Sequence, residues 1–108
     1  MRISWKKAFL VLFAAVIVGL VAYASARVYR FGKIRSHFEE VQEGQSKAEV
    51  VRLLGSPDED VACYVPGASE DYRNRCEERF WYYGFIELWG VDFDAKGKVI
   101  GSFHNVSP

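Results

Sequence analysis

The chain has 108 residues and a mass of 12.3 kDa, room for one small domain and a tail. Half of its residues are apolar and 16% are aromatic, which excludes a disordered chain. The formal charge of zero hides a segregation: residues 1–35 carry seven basic residues and no acid, whereas residues 36–108 carry seven basic residues and all 14 acids. Nucleic acid is an unsuitable partner for so acidic a body, because phosphate binding needs clustered Lys and Arg.

From Ala8 to Ala26 runs an uncharged stretch of 19 residues, AFLVLFAAVIVGLVAYASA, flanked by Arg2, Lys6 and Lys7 before it and Arg27, Arg30, Lys33 and Arg35 after it. As a helix it rises roughly 28 Å, close to the hydrocarbon thickness of a bilayer. Two readings fit: a retained transmembrane anchor, or a secretory signal ending at an A-x-A site, Ala24-Ser25-Ala26. The length of the run and the basic residues that follow it favour the anchor. Residues 1–35 are therefore read as a membrane anchor or signal segment, and residues 36–108 as the folded body. Charge does not set the topology, because the basic flanks nearly balance.

Cys63 and Cys76 stand alone in one polar loop region. In a domain this small the pair fits a disulfide formed in an oxidising compartment; two unrelated free thiols are the alternative. A metal site is disfavoured, since there is no CxxC and His37 and His104 are remote in sequence.

Two S-x-x-E capping boxes, Ser36-His37-Phe38-Glu39 and Ser46-Lys47-Ala48-Glu49, predict two short helices. The second has the stronger pattern: Val50, Leu53 and Leu54 form an apolar stripe, Gly55 supplies a cap, and Pro57 stops the helix. Residues 58–74 read as a short strand around Val61–Val65 and then a loop. Glu78–Phe85, Ile86–Phe93 and Lys98–Phe103 read as three strands, with Asp94-Ala95-Lys96-Gly97 as a tight turn. The expected fold is α+β: two short helices packed on a three-stranded antiparallel meander, preceded by the membrane or signal helix.

No catalytic constellation is visible. Asp92-Phe93-Asp94 lacks the spacing of a calcium loop, His104 has no nucleophile with a local signature, and no glycine-rich phosphate loop occurs. The expectation is a protein that is not an enzyme, with no cofactor, no metal and no small-molecule substrate. The surplus feature is the aromatic strand Phe80-Trp81-Tyr82-Tyr83-Gly84-Phe85. Alternation puts Trp81, Tyr83 and Phe85 on one face and Phe80 and Tyr82 on the other, so both faces carry rings. Phe80 and Tyr82 are the candidate partner-binding residues; the competing reading is that the 58–77 loop or the anchor covers the second face.

Gly44-Gln45-Ser46-Lys47-Ala48-Glu49-Val50, Leu53-Leu54-Gly55-Ser56-Pro57, Trp81-Tyr82-Tyr83 and Val91-Asp92-Phe93-Asp94-Ala95-Lys96-Gly97-Lys98-Val99 resemble, in order and spacing, the SmpA/OmlA (BamE-like) domain family. The resemblance covers about residues 36–104. It implies a two-helix, three-strand sandwich in a non-enzymatic protein that binds envelope partners and supports outer-membrane protein assembly. It places Ser46, Gly55, Pro57 and Gly97 at caps and turns, and Val50, Leu54, Trp81 and Phe93 in the core. This chain lacks the cysteine that anchors the family's lipoproteins just after the signal, its first cysteine being Cys63. Gln45 also stands where the family usually has Met, and the Cys63–Cys76 insert is long. The expected location is thus the inner membrane, single-pass, with a periplasmic domain working by protein contact. The alternative is a secreted binding or inhibitor-type domain, periplasmic or outer-membrane-associated, after cleavage at Ala26.

Overall fold

A computed structural model describes residues 4–106. Arg2 of the basic flank, with Met1 and Ile3, and Ser107 and Pro108 at the other end lie outside the described residues. The chain divides into two compact units, Met1–Gly32 and Lys33–Pro108.

Helix α1 spans Trp5–His37. Ser4 opens it, its carbonyl accepting from Ala8 N (3.0 Å) and its Oγ from Lys7 N (3.3 Å). Along residues 8–26 the helix is apolar on every side, its most apolar window has a mean hydropathy of 2.5, and none of that window is buried. The helix is long and apolar enough to cross a membrane.

The second unit begins with the last turn of α1, whose Ile34 is fully buried in the core. Here the structure corrects the sequence reading. Ser36 does not cap a separate helix. It lies inside α1, which continues to His37 and ends in a 3-10 turn, Phe38–Glu40. A capping box needs an N-cap residue outside the helix, and no proline between Ala26 and His37 stops α1 beforehand.

Helix α2, Lys47–Leu54, forms where expected. The Ser46 Oγ accepts from Glu49 N at 3.2 Å, and Val50 and Leu54 are fully buried. Gly55 ends the helix at φ 87°, its N–H bonding to the Val51 carbonyl at 2.7 Å.

The sheet has four strands, not three: β1 Glu59–Ala62, β2 Glu78–Tyr83, β3 Glu87–Phe93 and β4 Val99–Val106, antiparallel in sequence order. The added strand β1 pairs along β2, with Glu59 opposite Trp81 and Ala62 opposite Glu78, and all four of its residues are exposed. Its two acids belong to an edge strand that buries nothing. A further short helix, α3 (Glu70–Arg75), occupies the segment expected as loop; Ser69 caps it, accepting from Tyr72 N at 3.2 Å. Gly97 closes the β3–β4 turn at φ 75°, and the Asp94 carboxylate accepts from Lys96 N and Lys98 N.

The core lies on one face of this sheet. Phe80, Tyr82, Trp89, Val91, Phe93 and Val99 pack there with Val41, Val50, Leu54 and Ile34. Phe80 meets Phe93 edge-on, with ring centroids 4.6 Å apart. The Tyr82 hydroxyl donates to the Gly55 carbonyl at 2.8 Å, which satisfies an acceptor at the end of α2.

Candidate functional site: the aromatic back of the sheet

Phe80 and Tyr82 were the sequence's candidates for a partner surface, and their position corrects that assignment. Phe80 is 5% exposed and Tyr82 is 0% exposed, so neither offers a surface. The register explains it. With Trp89, Val91 and Phe93 facing the helices, antiparallel pairing of Phe80 with Val91 and Tyr82 with Trp89 turns both β2 rings into the core. Trp81, which the family resemblance would place in the core, goes to the opposite face, as does Tyr83.

That opposite face is aromatic and half-buried. Trp81 and Tyr83 stack at 6.3 Å, and Phe103 of β4 meets Trp81 edge-on at 5.3 Å. The Arg79 guanidinium lies 5.0 Å from the Trp81 ring centroid and 4.8 Å from that of Phe103. Its charge is answered by Asp92 on β3: Nε donates to Oδ1 at 2.5 Å and Nη2 to Oδ2 at 3.0 Å, with the Asp92 side chain only 2% exposed.

Asp92 also accepts from the Tyr72 hydroxyl of α3 at 2.6 Å. Burial, and then this hydrogen bond to a carboxylate, push the Tyr72 hydroxyl pKa well above its ordinary value. Two glycines make the arrangement possible. A side chain at Gly101 would collide with the Tyr72 hydroxyl, and one at Gly90 with the Phe103 ring. The 58–77 segment thus covers one end of the back face, through α3, and leaves the Trp81–Tyr83–Phe103 end half-exposed.

The Cys63 and Cys76 sulfurs are joined in a disulfide, Cα–Cα 5.7 Å, which ties the chain just after β1 to the residue that ends α3. The Asp92 carboxylate lies within 4.8 Å of both sulfurs. Bonded sulfurs have no thiolate to offer a metal, so the carboxylate serves Arg79 and Tyr72 instead.

A second polar cluster joins α1 to the sheet. Glu87 accepts from Arg35 Nε at 2.6 Å and pairs with His104 Nε2 at 2.9 Å. These partners, Arg35 first, hold the Glu87 carboxyl below the ordinary glutamate range. His104 stacks on Trp89 at 5.2 Å and meets Phe38 at 6.2 Å. His37 pairs with Glu40 at 2.6 Å and takes no part in this cluster. At the other end of the sheet Lys47 pairs with Glu78, and the Glu78 carboxylate also engages Asp60, whose pKa is raised by that contact.

The Arg79–Asp92–Tyr72 network lies outside the sequence expectations. Its sequence signal was available: an arginine two residues before Trp81, on the same face, and an acid inside an apolar strand.

No family model and no curated protein matches the chain. A solved structure does: an osmotically inducible lipoprotein, OsmE, matches with a TM-score of 0.50 and 23% identity, over 70% of this chain and 77% of that one. The likeness is one of fold, an SmpA/OmlA-like fold that agrees with the order of motifs.

Proposed function

We propose that this chain is a non-enzymatic, membrane-tethered protein-interaction domain of the bacterial envelope. Its α1 is held in the inner membrane, its body lies in the periplasm, and it supports outer-membrane protein assembly or envelope maintenance. The observation that carries the reading is α1 itself: a helix apolar on every side along residues 8–26, with none of its most apolar window buried, in a chain whose second unit is closed by a disulfide. The lipoprotein fold of OsmE and the half-exposed ring surface of Trp81, Tyr83 and Phe103 support it. Aromatic side chains beside a paired arginine are the composition that protein interfaces favour.

Photo-crosslinkable residues test the contact surface in the full chain, in cells. Placed at Trp81 or Tyr83 they are expected to give a discrete adduct with one envelope protein, and none when placed at the exposed Arg52 of α2. Adducts from Arg52 but not from the back face, or no adduct from any position, would overturn the assignment.

A further inference from the structure

The two edges of the sheet are unlike each other. Edge strand β1 has only four residues and carries Glu59 and Asp60, and a short, charged edge resists pairing with another strand. Edge strand β4 has eight residues, and from Val99 to Val106 it holds no lysine, arginine, acid or proline. Its first residue is already paired on the outer side: Gly44 N–H donates to the Val99 carbonyl and Val99 N–H to the Gln45 carbonyl, both at 2.9 Å. That cover stops at Val99.

The ladder fixes which groups of β4 point outward. Gly84 N–H donates to the Glu87 carbonyl at 2.7 Å, so the odd-numbered residues of β3 bond to β2, while Leu88, Gly90 and Asp92 bond to β4. Their partners Asn105, Phe103 and Gly101 therefore spend their N–H and C=O groups inward. Ser102, His104 and Val106 turn theirs outward, and among the described residues no backbone group meets them. The side chains of all three are exposed. Phe103 lies between them on the back face, half-buried against Trp81.

We propose that β4 pairs with β4 of a second copy of this chain, antiparallel about a two-fold axis at Phe103, so that two four-stranded sheets become one. A row of backbone donors and acceptors recognises an extended strand, and the strand's own symmetry selects a second copy. About Phe103, Ser102 stands opposite the partner's His104 and His104 opposite the partner's Ser102, which closes about four backbone hydrogen bonds. No like charges meet, since the strand carries no formal charge apart from its histidine. Phe103 falls at the close, non-hydrogen-bonded position against the partner's Phe103, and the two aromatic back faces become continuous. The neighbouring registers are poorer. Centring on Ser102 sets Phe103 opposite Gly101, where the Tyr72 hydroxyl already fills the space a side chain would take. Centring on His104 opposes two imidazoles. The pairing uses the second unit alone and does not rest on the reading of α1.

The test uses the full chain, with the Cys63–Cys76 bond oxidised, in detergent micelles in large excess over protein. Native mass spectrometry across a dilution series reads the oligomeric state, and a dimer is expected. Ser102→Pro removes an N–H that points outward, so it costs the monomer no ladder bond, yet it should raise the dimer dissociation constant at least ~10-fold. Its melting temperature should stay close to the parent's. Nitroxides on the single variants V106C and A95C then read the geometry by pulsed dipolar spectroscopy. Both positions are exposed. Strand spacing about an axis at Phe103 puts the two copies' labels about 20 Å apart at 106 and about 45 Å apart at 95. A parent that stays monomeric up to about 100 μM overturns the proposal. So does a dimer that a folded S102P variant leaves intact, which would be held through α1 or another surface. If Ser102→Pro unfolds the domain, the two distances decide alone: a short distance at 95, or none at 106, overturns the pairing.

Discussion

Arg35, in the last turn of α1, donates its Nε to Glu87 Oε1 at 2.6 Å, and the far oxygen of the same carboxylate meets His104 at 2.9 Å. One glutamate thus ties the helix that leads into the body to both central and edge strands of the sheet. The contact is electrostatic, whereas the neighbouring Ile34 is fully buried in the apolar core.

The sign of its pH dependence follows from its direction. The folded-state pKa of Glu87 is lowered from 4.5, chiefly by Arg35. Its stabilising contribution is therefore complete above about 4.5 and is lost as pH falls through the lower folded-state value. Thermal unfolding in detergent micelles checks this: Glu87→Gln should lower stability at pH 7 and narrow its gap to the parent below pH 4. An equal loss at both pH values would mean that the side chain's packing matters and its charge does not.

The Arg79–Asp92 pair lies under rings and is almost dry, so removing one partner strands a buried charge. Arg79→Ala should cost about 3–5 kcal/mol. The double replacement Arg79→Ala with Asp92→Ala should cost less than the sum of the two single changes, measured as a double-mutant cycle in urea. Additivity within error would show that the two charges are not coupled.

Ser46→Ala removes the cap of α2 and should cost ~1 kcal/mol. No measurable change would show that α2 starts elsewhere.

The disulfide closes a loop with a sequence separation of 13, worth about 3 kcal/mol on the chain-entropy account. Cys63→Ser should therefore lower the melting temperature under oxidising conditions and leave it unchanged under reducing ones. A matching drop in both would assign the effect to the packing of the thiol.

Much of this architecture was legible from residue patterns, and the exceptions have physical causes. The α2 stripe, the Gly55 and Gly97 positions and the strand alternation around Trp89, Val91 and Phe93 follow local rules that tertiary contacts reinforce. Strand β1 is hard to place from sequence because Glu59 and Asp60 have low strand propensity and the strand gains its hydrogen bonds only from β2. Helix α3 leaves little trace in the sequence, because its six residues are too few to show a period and Ser69 lacks a Glu three residues later. The sequence of the aromatic strand shows its alternation but not its register, and the register buries Phe80 and Tyr82 and leaves Trp81 and Tyr83 half-exposed. Alternation alone sorts side chains into two sets; deciding which set is buried needs the neighbouring strand. The Arg79–Asp92–Tyr72 network needs three elements brought together, and no single stretch displays it.

The central claim is that α1 stays in the membrane while the body stands beyond it. It is tested most directly by treating intact spheroplasts carrying the A95C variant with a membrane-impermeant thiol reagent, then measuring the intact mass of the protein in the membrane pellet. The expected result is a labelled protein with its amino-terminal segment uncleaved. An unlabelled protein that reacts only after lysis, or a chain beginning at Arg27 in the soluble fraction, would contradict it.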